Sequence, residues 1–240
     1  MYKYIDIAII GDYNFKIQSH LHTNAVFRHC EDHFDFGINT FWINSSELNG
    51  EEIKKLSNYS AIFLANGPYM DPYSMLKAIE YIRKENIPFL AADKTYKFVL
   101  IDLFENVLGF RSVKPDVENQ NEKLNIQNLV EQKLIYFDEG SRLHDCYGRR
   151  TSHEYTGEAF QLDPDFAHSL KEKGVKFSAS DDDQFLQAFE YTANDFFVST
   201  MFNPLLTSTV DMPHPLMMGL IHYAMEHKKK EVPMSISNSA

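Results

Sequence analysis

The sequence predicts a three-layer α/β sandwich around a central, mostly parallel sheet of flavodoxin-like type. Three observations carry that prediction. Four short apolar runs in the first half, Ile5 to Gly11, Ile38 to Ile43, Ala61 to Ala65 and Ile87 to Ala92, are bounded by turn residues, as strands buried on both faces should be. Helical patterns separate them, and alternation of strand and helix implies a doubly wound sheet with its functional groups on loops at the strands' carboxyl ends. The run "IPFLAADKTYKF", from Ile87 to Phe98, passes from strand to helix across a sharp turn at Asp93. Many α/β enzymes expose a nucleophile on such a turn.

Among the helices of the first half, "DPYSMLKAIEYIRKEN" is the clearest. Met75, Leu76, Ala78, Ile79 and Ile82 form its apolar face, Pro72 sits near its start, and Asn86 with Pro88 ends it. The second half changes character. "KLIYFDEG", "EAFQLD", "VKFSAS", "QFLQAFEY" and "DFFVSTMF" are short, partly alternating and separated by Gly, Asp and Asn, which predicts antiparallel or mixed strands. After "MPHP", Leu216 to Met225 is apolar almost all round, a pattern that predicts a helix packed on the sheet. The expected domain spans residues 1–227, and the polar tail 228–240 is expected to be disordered.

Composition narrows the function. With 240 residues, 44% of them hydrophobic, the chain can bury one sizeable core. Its 23 basic against 34 acidic residues give a net charge of −11, which argues against binding a phosphate backbone. Two cysteines, Cys30 and Cys146, fit a reducing compartment better than a disulfide scaffold, and the start lacks a signal-peptide pattern. No apolar run approaches a membrane span. These features predict a cytoplasmic protein with no nucleic-acid or membrane partner, whose partners are a small polar ligand or another protein; a homo-oligomer is left open.

The segment from Tyr59 to Phe110, "YSAIFLANGPYMDPYSMLKAIEYIRKENIPFLAADKTYKFVLIDLFENVLGF", resembles the glutamine amidotransferase domain of CTP synthase. That family has a strand, a glycine loop, a helix, a strand ending in G-I-C-L-G-M-Q and a helix ending in N-V-L-G. "FFVSTMFNPLLTSTVDMPHPLMMGLIHYA" is similar to its closing strand, turn and helix, with their F-x-x-x-x-Q-F-H-P-E and P-H-P-L-F, and "IDIAIIGDY" to its first strand. The resemblance covers roughly residues 4–227, with a poor match from Lys114 to Ser152. It implies the class I amidotransferase fold. The ATP-binding synthase half of those proteins has no counterpart in the sequence, and no cofactor is implied.

The resemblance also implies where the chemistry should sit, and there the residues depart from it. The family's cysteine, histidine and glutamate positions read Asp93, Asn203 and Leu205. Its oxyanion loop reads "ANGPY", which keeps Gly67 but introduces Pro68, a residue with no N–H to donate. A carboxylate attacks an amide poorly, and triad members act as a unit. The expectation is therefore a degenerate triad, a pseudoenzyme without glutaminase activity by the family mechanism. Its former cleft would bind a ligand through Asn66, Gly67, Asp93 and Lys94. For Asp93 itself, capping a helix and contacting a ligand are both open readings.

A rival expectation is an enzyme with rebuilt chemistry, a hydrolase or transferase acting on a small amide or amino-acid-like substrate. It draws on "RLHDCYGRRTSHEYTGEAF", where Cys146, with His144 or His153 as its base, and Glu154 and Glu158 stand close together. A surface loop with a free thiol is the plainer reading of that segment. His20, His22, His29 and His33 suggest a metal, and His29 and His33 are one helical turn apart. No third ligand is specified, so none is predicted. The run Ser180 to Asp183 lacks the glycine and glutamate of a calcium loop and reads as a solvated turn.

Overall fold

A computed structural model describes residues 4–110, 130–157 and 162–231. Its strands are β1 (Tyr4–Ile10), β2 (Gly37–Ile43), β3 (Ala61–Leu64), β4 (Phe89–Ala92), β5 (Glu131–Phe137), β6 (Thr151–Thr156), β7 (Val175–Asp181), β8 (Leu186–Tyr191) and β9 (Phe197–Thr200). The helices are α1 (Gln18–Glu31), α2 (Pro72–Lys84), α3 (Tyr96–Asp102), α4 (Arg142–Tyr147), α5 (Pro164–Glu172) and α6 (Pro215–Glu231). Among the described residues all nine strands join one sheet, in the order β2-β1-β3-β4-β9-β8-β7-β5-β6.

The strands β2, β1, β3, β4 and β9 run parallel, and β8, β7, β5 and β6 add antiparallel neighbours. Alternation along β1 sorts its side chains between two cores. Ile5, Ile7 and Ile9 face α1, α4 and α6 with Val26, Phe27, Leu143, Leu216 and Leu220. Ala8 and Ile10 face α2 and α3 with Met75, Ile79, Tyr96 and Val99. Each fully buried Ile or Leu contributes roughly 1.5–3 kcal/mol, so the two faces together hold the three layers. Among the parallel strands β2, at the edge, is half-buried rather than buried.

The α2 helix begins as its sequence requires. Asp71 accepts hydrogen bonds from the backbone N–H groups of Tyr73 and Ser74, and Pro72 fills the first turn where no N–H is needed. Between α2 and α3, Arg83 and Asp102 form a buried bidentate pair, with Nε to Oδ2 at 2.6 Å and Nη2 to Oδ1 at 3.1 Å. In the antiparallel half Thr156 bridges Phe202, just past β9, so β6 curls back toward the carboxyl end of the parallel strands.

Three expectations change. The segment from Arg142 to Thr156 is helix α4 and strand β6, not a loop, because Ser141 caps α4 through His144 N–H and Gly148 ends it at φ 60°. Helix α6 continues to Glu231, past the expected boundary at 227. In the 180–183 run, Asp181 is buried and accepts from Lys133 Nζ at 3.2 Å and from the N–H groups of Asp183 and Phe185; Asp182 and Asp183 are exposed. The strand expected at 158–163 and the rest of the tail lie largely outside the described residues. No helix among the described residues is long and apolar enough to cross a membrane.

Candidate functional site

Strand β4 ends at Ala92 in extended conformation (φ −137°, ψ 155°), and the next residue, Asp93, turns sharply to φ 56°. That left-handed conformation costs a residue with a Cβ about 1–2 kcal/mol, and Asp is among the few that adopt it. A hydrogen bond from Thr95 Oγ1 to Ala92 O, 2.7 Å long, closes the turn before α3 begins. Asp93 thus stands on a strained strand-to-helix elbow at the carboxyl edge of the sheet. Asp93 is the first residue of the helical turn Asp93–Thr95, and Ala92 occupies the position before it.

Two asparagines hold its carboxylate. Asn66, on the loop after β3, donates from Nδ2 to Asp93 Oδ2 at 2.9 Å, and Asn203, after β9, donates to the same oxygen at 3.3 Å. Asn203 is oriented by its own turn. Its Oδ1 accepts the N–H of Leu205 at 3.0 Å, which leaves Nδ2 to face Asp93, and its N–H donates to Tyr155 O at 2.9 Å. The side chain of Leu205 goes into the core and is 5% exposed.

The loop carrying Asn66 and Gly67 is clamped from several sides. His20 accepts the N–H of Asn14 at Nδ1, so its proton sits on Nε2 and is donated to Asn66 O at 2.6 Å. Burial lowers the pKa of this histidine, while the bond to Asn66 O and the charge of Asp12 work the other way. Its ring is fully buried and stacks near Tyr13 and Trp42. At Gly67 (φ 152°) a Cβ would come within 2.7 Å of His20 Nε2, so only glycine fits there. Farther along, Asp12 accepts from Met70 N–H at 2.6 Å and from Ser45 Oγ at 2.7 Å, and Tyr69 donates its hydroxyl to Ala65 O. Lys94 is exposed on the elbow.

The structure does not assemble the rival set. Cys146 packs against Gly219 and near Phe196, at the amino end of β9, whereas the elbow follows β4 at the carboxyl end, where Ala92 pairs with Thr200. The length of a four-residue strand, roughly 13 Å, separates those two ends of the sheet. Burial, with smaller help from Glu190 and Asp145, pushes the thiol up to about 12, so it stays protonated. His153 is exposed on β6, with its neighbour Glu154 turned to the opposite, buried side. A relocated Cys146–His153 pair is therefore corrected. Glu158 lies outside the described residues.

Glu154 instead joins a buried cluster that sequence reasoning did not find. Tyr147 donates its hydroxyl to Glu154 Oε1 at 2.7 Å, and His214 Nε2 lies 3.2 Å from Glu154 Oε2 and 3.2 Å from the Tyr147 oxygen. The N–H of Leu216 donates to His214 Nδ1, which places the imidazole proton on Nε2, toward Glu154. Burial alone would raise the Glu154 carboxyl, but His214 and Tyr147 bring it below its ordinary value. The "PHP" of the sequence was the one available signal. Of the other histidines, His29 faces Ser208 Oγ at 3.3 Å and His33 donates to Val210 O at 3.0 Å, both in the loop after β9. Among the described residues no three His, Cys, Asp or Glu side chains are arranged to hold a metal.

No family model matches the chain. Among curated proteins it is similar to the CTP synthase of Thermococcus kodakarensis, 23% identical over 93% of this chain and 45% of that protein. It is also similar to that of Methanocaldococcus jannaschii, 26% identical over 94% and 46%. The chain therefore spans about half the length of these relatives. Among solved structures it superposes on the glutaminase domain of Trypanosoma brucei CTPS with bound acivicin, with a TM-score of 0.79, 19% identity and coverage of 92% and 94%. A glutamine amidotransferase from Thermotoga maritima follows at a TM-score of 0.50, 15% identity and coverage of 95% and 86%. The fold is that of the class I glutamine amidotransferases, and the resemblance to the amidotransferase domain of CTP synthase is borne out in sequence and in fold.

Proposed function

We propose that this chain is an amidotransferase-like protein that does not hydrolyse glutamine through a thioester, and that its cleft binds a small polar ligand at Asp93, Asn66, Gly67 and Lys94. On this reading Asp93, Asn203 and Leu205 stand where the relatives' triad would stand. One observation carries it: the elbow carboxylate is held by the amides of Asn66 and Asn203. A carboxylate in that position forms no stable acyl intermediate, and a carboxamide has no proton-accepting nitrogen with which to replace a histidine base. Leu205, buried in the core, has no group with which to orient a base.

The clamped Asn66–Gly67 loop supports retention of a binding site, because a preorganised loop lowers the ordering cost of a bound ligand. A glutaminase assay on the purified protein tests the reading. Ammonia release should stay at background, and Asp93→Ala should leave it there. Release at a rate ordinary for this enzyme class, abolished by Asp93→Ala, would refute the inactive reading.

A further inference from the structure

We infer that the chain's own last segment, residues 232–240, adds to the sheet as a further strand along the open edge of β2. Among the described residues β2 is the last strand on its side of the sheet and pairs with β1 alone. Ile43 O accepts the N–H of Gly11 at 3.0 Å, so Ile43 and, by alternation, Phe41 and Asn39 turn their backbone groups toward β1. Those of Ile38, Thr40 and Trp42 point outward. Glu31 Oε1 takes the Ile38 N–H at 3.1 Å, while the N–H groups of Thr40 and Trp42 have no partner among the described residues. An exposed row of this kind is a template for another strand, and proteins ordinarily blunt it with charge, proline, a bulge or a cover. β2 reads "GINTFWI", with no charged residue and no proline, pairs with β1 without a bulge, and leaves Phe41 44% exposed. The opposite edge is protected. There β6 carries an inward-pointing charge at Glu154, and its end is tied down by the Thr156–Phe202 bridge and by the bond from Asn203 N–H to Tyr155 O.

Where the chain leaves the structure identifies the occupant. Helix α6 runs to Glu231, and Lys228 Nζ donates to Tyr4 O at 2.8 Å, at the start of β1 and opposite Gly37, the first residue of β2. Residues 232–240 therefore set out from the amino ends of β1 and β2. They read "VPMSISNSA", with no charged side chain, and Met234 and Ile236 alternate with Ser235 and Ser237, the two-residue period of a strand. The segment is expected to be disordered by itself, so its order would come from the edge. Fully extended, it reaches roughly 30 Å. The length of β2 is roughly 23 Å, so the segment can pass the 32–36 turn and still lie parallel to β2 beyond Thr40. Other occupants fit less well. The intervals 111–129 and 158–161 open beside β5 and β6, at the far edge of the sheet. A second copy would bring a net charge of −11 against another of −11.

The test is amide hydrogen exchange at Thr40 and Trp42, followed by NMR in the full chain and in a chain ending at Glu231. Both amides should exchange faster in the shortened chain, by about tenfold or more. The N–H of Phe41, turned toward β1, should exchange alike in the two. In the full chain the protection of Thr40 and Trp42 should not change on dilution. Ile236→Pro, which removes an N–H from the middle of the segment, should reproduce the loss; should the shortened chain fray at Phe41, this full-length variant decides. Equal exchange of Thr40 and Trp42 in the full chain, the shortened chain and Ile236→Pro would overturn the inference. Fast exchange in all three would mean that the edge is uncovered, and slow exchange that quickens on dilution would mean that a second copy covers it.

Discussion

Asn203 Nδ2 lies 3.3 Å from Asp93 Oδ2 although 110 residues separate them in the chain. Parallel pairing of β4 with β9 makes this possible, because Ala92 is opposite Thr200 and the segments that follow these strands, Asp93 on one and Met201 to Asn203 on the other, leave the same edge of the sheet. The contact joins the elbow to the turn that carries Leu205.

Asp93 combines backbone strain at φ 56° with two amide hydrogen bonds. Asp93→Ala loses the bonds and keeps the strain, so it should destabilise the protein by about 2 kcal/mol. Asp93→Gly loses the same bonds but relieves the left-handed conformation, and should be more stable than the alanine variant by about 1 kcal/mol. Urea unfolding midpoints measure both. An alanine variant as stable as the glycine variant would show that the elbow is not strained.

Restoring the relatives' residue types should not restore activity. In Asp93→Cys/Asn203→His/Leu205→Glu, the glutamate enters a position 5% exposed in the core, and Leu205→Glu alone should cost about 3 kcal/mol or more. Pro68 would still leave the loop one N–H short, a loss of about a hundredfold in rate. Ammonia release and labelling of the new cysteine by a glutamine-mimicking electrophile should both remain near background. Labelling at rates typical of this enzyme class would mean that the cleft still accommodates glutamine.

Glu154 should make the protein acid-sensitive. Its folded pKa is lowered by His214 and Tyr147 despite burial, from an ordinary value of 4.5. The stability it contributes is therefore complete above about that pH and is lost as the pH falls through the lower folded value. Wild type should lose stability below pH ~4.5 more steeply than Glu154→Gln. At neutral pH, Glu154→Ala should cost about 3 kcal/mol by stranding the Tyr147 hydroxyl and the His214 N–H. Parallel acid limbs for wild type and Glu154→Gln in a pH series of thermal melts would contradict this.

The Cys146 thiol occupies the space where a Cβ on Gly219 would sit. Gly219→Ala should therefore destabilise by about 1–3 kcal/mol through overpacking of α4 on α6. Adding Cys146→Ala should recover most of that loss, since the two sites touch and couple. With the thiol pushed up to about 12, native Cys146 should also react far more slowly with a disulfide reagent than the unfolded chain does. Fast native labelling would mean that α4 does not hold the thiol against α6.

The parallel half of the fold was legible in the sequence. Ile7 to Gly11, Ala61 to Ala65 and Ile87 to Ala92 are apolar throughout because both faces of those strands are buried, and the 3.6-residue period with Asp71 and Pro72 marks α2. Those are local signals, set by which atoms must leave water. The elbow was legible too, because a buried strand that ends one residue before a helical pattern leaves a single residue to make the turn.

What only the tertiary structure decided is who meets whom. Asn66 and Asn203 look like ordinary loop residues until β3, β4 and β9 lie side by side and aim both amides at one oxygen. Glu154, set beside Cys146 and His153 by sequence proximity, is separated from both by two geometric facts. Side chains alternate across β6, and α4 turns the thiol into the core. His20 and His214 read as candidate surface groups or as part of a motif, yet each is buried, with its tautomer fixed by one backbone N–H. Hydrogen bonds between residues far apart in the chain depend on angles and on distances of a few tenths of an ångström, and no period or propensity in a linear sequence encodes those; burial of apolar surface, by contrast, is written residue by residue.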